Sequence, residues 1–277
     1  AMALSWSLDK LGPMARSARD CEIVYRAIAG HDPEDPYSAD EPLGAESDLK
    51  AASRLRVAYL KLDFSKAGNP EVERVCHHAL VNLARAGIMA EKAELPDLPF
   101  APAAVAILSG EVVTAFEEIE RDGRVKELVT REAPVSMIAE RAVRGSDLVK
   151  AQRVRTVCMR AMADFFSRWD VLLFPTEMHT AFGAEEDFSE IPWSDPAGAA
   201  GNLCGLPALS VPCGLTEAGL PGGLGIMAGA YQESQALALG RFFQTISGWD
   251  GQRPPLAPSA GSGPRGARGG APRPGRP

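Results

Sequence analysis

Few residues in this sequence stand where chemistry would need them. His179, in "TEMHTAF", is of the type that gives and takes protons near neutral pH, but no carboxylate or nucleophile can be assigned beside it, and a structural histidine is the preferred reading. Ser210 lies inside "ALSVPCG" and reads as a strand residue; the nearest approach to a G-x-S-x-G elbow surrounds Ser262, in a stretch that holds no geometry. His31, Asp32 and Asp35, in "HDPEDP", match no metal-ligand spacing and read as an acidic, solvated loop. His77 and His78 are neighbours on a helical pattern, so their side chains diverge by about 100° and do not chelate one ion. The sequence has no phosphate-binding G-x-x-x-x-G-K-[ST] loop and no G-x-G-x-x-G after a strand. Read from residues alone, it is an α/β domain with no assigned catalytic centre, no metal and no cofactor.

The elements that would position a site are easier to read. Ser17 and Asp20 form a capping-box pattern, with Cys21, Val24, Tyr25 and Ile28 following at helical spacing and Gly30 as the stop. Residues 55–61 alternate as a strand. Asn69 then caps a helix with Pro70 in its first turn and Glu71 and Glu73 near its positive end. Val72, Val75, Cys76, Ala79, Leu80 and Leu83 make one apolar stripe, Gly87 ends it, and residues 88–95 read as a second strand. Strand, helix, strand in this span predicts a βαβ unit with parallel strands. Helical patterns dominate residues 103–169, with Ser146 opening the longest. "DVLLFP" is a strand apolar on both faces and stopped by Pro175. A long irregular stretch ends in a short helix. "ALSVPC" and "LGIMAG" then form two further strands, and a last helix covers residues 233–246.

Composition limits the function. The net charge of −7 argues against nucleic-acid binding, and no apolar run is long enough to cross a membrane. The five cysteines, Cys21, Cys76, Cys158, Cys204 and Cys213, are odd in number, lack a C-x-x-C and sit among apolar residues. They read as buried free thiols of a cytoplasmic protein. Residues 257–277 are rich in Gly, Pro and Arg and read as a disordered tail after a domain of residues 1–256.

Two long segments carry a resemblance. "SWSLDKLGPMARSARDCEIVYRAIAGHDPEDP" resembles the stretch of amidase-signature enzymes that reads loosely S-x-D-x-x-G-P-x-x-R-S-x-x-D, a helix, then G-x-D-x-x-D-P. "NLCGLPALSVPCGLTEAGLPGGLGIMAG" resembles the same family's N-x-x-G-x-P-x-x-S-x-P-x-G followed by G-L-P-x-G. The resemblance covers roughly residues 3–255, nearly all of the chain expected to be ordered. It implies a mixed β-sheet covered by helices, and hydrolysis of an amide C–N bond in a small carboxamide, or transfer of the released ammonia. The family's catalytic set is a Lys, a Ser held in a cis peptide and a nucleophilic Ser, the two serines in a G-G-S-S-G-G-like string. None of these carries over to a residue here, because the family places them before "SLDKLGP".

The resemblance therefore implies a C-terminal portion of an amidase, a partial α/β fold that lacks the catalytic Ser-Ser-Lys set and is inactive as an isolated chain. Its partners would be an N-terminal half that completes a site for a small amide substrate, or further copies of itself held through exposed core. The alternatives are a non-catalytic binding or assembly module, and one half of a split amidase or amidotransferase. One site residue carries over: Asp195, seven residues before Asn202, matches the acidic residue that binds the substrate's α-amino group in the amidotransferase branch. A loop-capping Asp is the competing reading. Gly198 stands where the family often has Thr, and Gly225 where it often has Gln.

Overall fold

A computed structural model describes residues 3–35, 38–42, 44, 47–65, 68–127, 142–183, 185–186 and 195–253. Local signals set many element boundaries. Helix α1 (Ala18–Ile28) starts where the Ser17 side chain accepts the Asp20 amide, and Ser17 Oγ returns a hydrogen bond to the Asp20 carboxylate at 2.8 Å. A single helical turn, α2 (Leu49–Ala52), precedes strand β1 (Val57–Leu60). Helix α3 (Pro70–Arg85) is capped by Asn69, whose Oδ1 accepts the Glu71 amide at 2.8 Å, and it leads to β2 (Ala90–Ala93).

Helices α4 (Phe100–Ala115) and α5 (Glu117–Arg121) follow, then the long α6 (Gly145–Arg168) and strand β3 (Val171–Pro175). The short α7 (Gly198–Cys204) ends on Gly205, whose φ of 70° is the left-handed conformation that reverses a chain at a helix end. Strands β4 (Ala208–Leu215) and β5 (Pro221–Ala228) form a hairpin, and α8 (Glu233–Ser247) is the last long helix. Residues 257–277, read from sequence as a tail, lie outside the described residues.

The strands form one sheet in the order β2-β1-β3-β5-β4. β1 is parallel to β2 and β3, and β5 is antiparallel to β3 and β4, so the sheet is mixed. Alternate residues feed two separate cores. Val171 and Leu173 of β3, with Leu224 and Ile226 of β5, pack under α3 and α8. Leu172, Phe174 and Met227 pack under α4, α6 and α7. Each fully buried side chain of this size contributes about 1.5–3 kcal/mol.

Two expectations are corrected here. The fold is not partial in the sense expected: among the described residues both faces of the sheet carry helices and a buried cluster, and every residue of β3 is buried. β1 is covered, with Val57, Ala58 and Leu60 buried, and β4 buries Val211 and Cys213. Self-association through an exposed core loses that basis. The apolar stripe of α1 also differs. Val24 and Ile28 are exposed, while Ala18, Cys21 and Glu22 face inward, because Glu22 is drawn in by Arg241 of α8 at 2.8 Å.

Topology makes a crevice. The chain leaves β1 through α3 to reach β2 on one side, then returns through α4–α6 to β3 on the other. The carboxyl ends of β1 and β3 therefore form a topological switch point, where open α/β sheets leave room for ligands.

Candidate functional site

A cavity of about 280 Å³ occupies that switch point. Tyr59, Phe64, Leu173 and Pro175, with Glu73 and His77 of α3, line it. Burial, with the Glu73 and Cys76 charges, pushes the Tyr59 phenol above its ordinary pKa. The first turn of α3 is pinned: Arg74 Nη2 donates to Glu71 Oε2 at 2.9 Å, and the same oxygen accepts the Glu217 amide of the hairpin turn at 2.8 Å. The Arg74 hydrogen bond leads the interactions that hold the Glu71 carboxyl below its ordinary pKa.

Just past β3, Thr176 Oγ1 and Ser210 Oγ lie 2.7 Å apart. They meet over Gly223, where a Cβ would stand 2.7 Å from Thr176 Oγ1 and 3.2 Å from Ser210 Oγ. Ser210 is thus a strand residue, as its sequence suggests, and it is also exposed on the face that carries Phe174 and Met227, by the two-residue period and the register Ser210↔Gly225↔Phe174.

Helix α7 covers the same face. Gly201 sits over Met227, and a Cβ there would be 2.7 Å from the Met227 methyl. Asp195 lies at the start of this helix: its Oδ1 accepts the amides of Ala197 at 3.0 Å and Gly198 at 2.7 Å. Its geometry is that of the loop-capping Asp. At the other end of α7, Lys10 Nζ donates to the Asn202 carbonyl at 3.2 Å and to Asn202 Oδ1 at 3.0 Å, a cation at a helix C-terminus. Desolvation, followed by the Arg155 charge, lowers the Lys10 pKa, and burial pushes the neighbouring Cys204 thiol up to about 11. Arg155 in turn donates to the Ser7 carbonyl at 2.9 Å, and Glu111 accepts from Ser5 Oγ. Residues 5–10 are thereby strapped across α4, α6 and α7.

A wider groove, about 560 Å³, runs between Lys10, Tyr25 and Glu233. Parallel strand ends and the start of α3 converge on the switch-point cavity, and the Thr176–Ser210 pair and Asp195 line neither space.

The structure separates the other candidates. His179 packs beside the Phe182 ring, 6.2 Å between centroids. His31 Nδ1 pairs with Ser38 Oγ at 3.1 Å. His78 is exposed, and His77 reaches only the rim of the cavity. Ser262 lies outside the described residues. Sequence reasoning missed the cavity and Thr176; the Thr after "LLFP" is a visible signal only once the strand order is known.

Comparison with known proteins decides the family. A model of the amidase family matches residues 1–237. The chain belongs to the amidase family. It is 29% identical to the A subunit of glutamyl-tRNA(Gln) amidotransferase from Picosynechococcus sp., over 92% of this chain and 59% of that protein. It is 32% identical to an amidase of Pseudomonas putida, over 79% of this chain and 49% of the other. The crystal structure of the corresponding amidotransferase A subunit from Thermotoga maritima shares its fold with a TM-score of 0.72 and 24% identity, covering 88% of this chain and 54% of that one. The chain spans about half the length of the curated relatives it matches.

These findings correct the reading of a truncated, inactive C-terminal portion. The family match runs through most of the chain, and the shared fold covers 88% of it, so nearly all of it is described by the amidase family and its fold. The inference that it lacks catalytic machinery rested on where the first motif falls, and that position is no evidence about activity. The expected N-terminal partner half, assumed only to complete the site, is withdrawn with it. Among the described residues no helix is long and apolar enough to cross a membrane.

Proposed function

We propose that this domain acts on the amide C–N bond of small carboxamides, hydrolysing it or passing on the released ammonia. Membership of the amidase family carries the reading. The carboxamide sits at the carboxyl end of β3, on the Phe174 face of the sheet where Thr176 and Ser210 meet. The hydroxyls of Thr176 and Ser210 each donate and accept, which suits a neutral amide group. In this proposal Asp195 contacts substrate through Oδ2, while Oδ1 stays fixed on the Ala197 and Gly198 amides. A carboxylate held this way is already oriented for an amide N–H or an ammonium group. The proposal uses no metal or cofactor and gives no residue of this chain the nucleophile's role. The five free, buried cysteines support a cytoplasmic setting. Residues 1–256 form the domain and residues 257–277 a tail.

Ammonia release from a series of small carboxamides by the protein carrying this domain tests the reading. Turnover is expected, with KM raised about tenfold or more in Asp195→Asn, since a hydrogen bond to a charged group contributes about 1.5–3 kcal/mol. Asn keeps an Oδ1 acceptor for the Ala197 and Gly198 amides, so this variant keeps the turn. An unchanged KM removes Asp195 from the site. No ammonia from any amide overturns the activity.

A further inference from the structure

Two of the five thiols meet behind the switch-point cavity. Cys76, in the second turn of α3, and Cys213, on β4, belong to the same buried cluster. Cys213 Sγ lies 3.4 Å from the Gly222 carbonyl oxygen and Cys76 Sγ 4.0 Å from that of Gly223. The sulfurs thus hang on consecutive peptide groups of β5. Glycines permit this approach: a Cβ at Gly214 or Gly222 would come within 2.7 or 3.0 Å of Val75 Cγ1, next to Cys76 on α3. The two thiols are not equivalent. Cys76 lines the cavity, whereas Cys213 is 3% exposed and lies behind it. The adjacent Cys213 side chain holds the Cys76 thiol below its ordinary pKa, and Cys76, then burial, pushes the Cys213 thiol up. Cys76 faces an opening, and Cys213 is the enclosed partner beside it.

We propose that Cys76 and Cys213 form an oxidative modification site, at which hydrogen peroxide entering through the cavity closes a disulfide that ties α3 to β4. The Cys76 thiolate attacks one peroxide oxygen; the S–O bond forms, the O–O bond breaks, and hydroxide leaves and takes up a proton as water. Cys213 then attacks the Cys76 sulfur and gives up its proton. The S–S bond forms, the S–O bond breaks, and a second water leaves. Two thiols lose two electrons to one peroxide, and two waters are released. The inference does not depend on the amide reading.

The test treats purified protein with a small excess of hydrogen peroxide, then counts thiols after denaturation and maps linked peptides. The expected result is a fall from five free thiols to three, a loss of two hydrogen masses, and one bridge between Cys76 and Cys213 that dithiothreitol reverses. Phenylarsine oxide, which clasps close dithiols, is expected to bind one equivalent to the untreated protein and none to Cys76→Ala or Cys213→Ala. Five thiols surviving peroxide that oxidises free glutathione would overturn the proposal. So would a bridge between Cys158 and Cys204, or Cys76 sulfinic acid without a bridge. The mapping of unaltered protein stands even where a variant fails to fold.

Discussion

Asp195 folds back so far onto α7 that its Oδ2 stands 1.6 Å from the point a Cβ on residue 198 would occupy. Gly198 is therefore the condition for the Asp195 cap. Gly198→Ala is expected to expel the carboxylate and cost about 0.5–2 kcal/mol, the usual worth of an N-terminal cap. Asp195→Ala should cost about as much, and the double variant little more than either, since both remove the same contact. Urea denaturation of the three proteins checks this; additive losses would show that the two residues act separately.

Phe174 and Gly225 are register partners across β3 and β5, and a Cβ at 225 would fall 2.5 Å from the Phe174 ring. The ring lies over the glycine, within the cluster under α4, α6 and α7. Gly225→Ala is expected to cost about 1–3 kcal/mol by overpacking. Combining it with Phe174→Leu should recover part of that loss, and thermal melts of the single and double variants measure the recovery. No recovery would mean that the strain at 225 lies in the backbone rather than against the ring.

What the sequence made legible was local. The caps at Ser17 and Asn69 were readable because donor and acceptor lie within three residues. β3 was readable because an apolar run stopped by proline needs no distant information. The inward face of α1 was not: a buried Glu22 makes sense only with Arg241, 219 residues away. The cavity was not legible either, because it follows from β1 standing between β2 and β3, which crossover helices decide. Asp195 was found by its offset from Asn202, but the crowding with Gly198 requires the folded turn. The resemblance pointed to the right family, and the inference of a missing half failed because it was drawn from chain position rather than from contacts.

Glu22 gives a pH signature. Its Oε1 accepts the Ser47 amide and its Oε2 the Ser47 hydroxyl, each at 2.7 Å, and Arg26 and Arg241 add charged donors. Burial raises its pKa, but these bonds together outweigh burial and hold it below the ordinary carboxylate value. A depressed folded pKa stabilises at pH above the unfolded value of about 4.3, and that stabilisation is lost as pH falls through the folded pKa. Glu22→Gln is expected to lose about 3 kcal/mol at neutral pH, because it leaves Arg241 without its buried counter-charge. The gap to the unaltered protein should close below about pH 4. Denaturant titrations from pH 7 to 3 read it directly; a gap constant over that range would show that the charge is not what stabilises.

Deleting residues 257–277 is expected to leave the melting temperature unchanged, because that stretch has almost no apolar side chains to bury. A clear fall on truncation, seen by calorimetry, would show that it packs on the domain.

The central claim is that a small carboxamide binds at the carboxyl end of β3, on the face of Phe174, Thr176 and Ser210. Titrating isotope-labelled protein with a neutral carboxamide and following backbone amide shifts by NMR tests it most directly. The account predicts that the largest shifts fall at Phe174, Thr176, Gly198 and Ser210. Shifts gathered instead along the groove between Lys10, Tyr25 and Glu233, or no shifts at saturating amide, would contradict it.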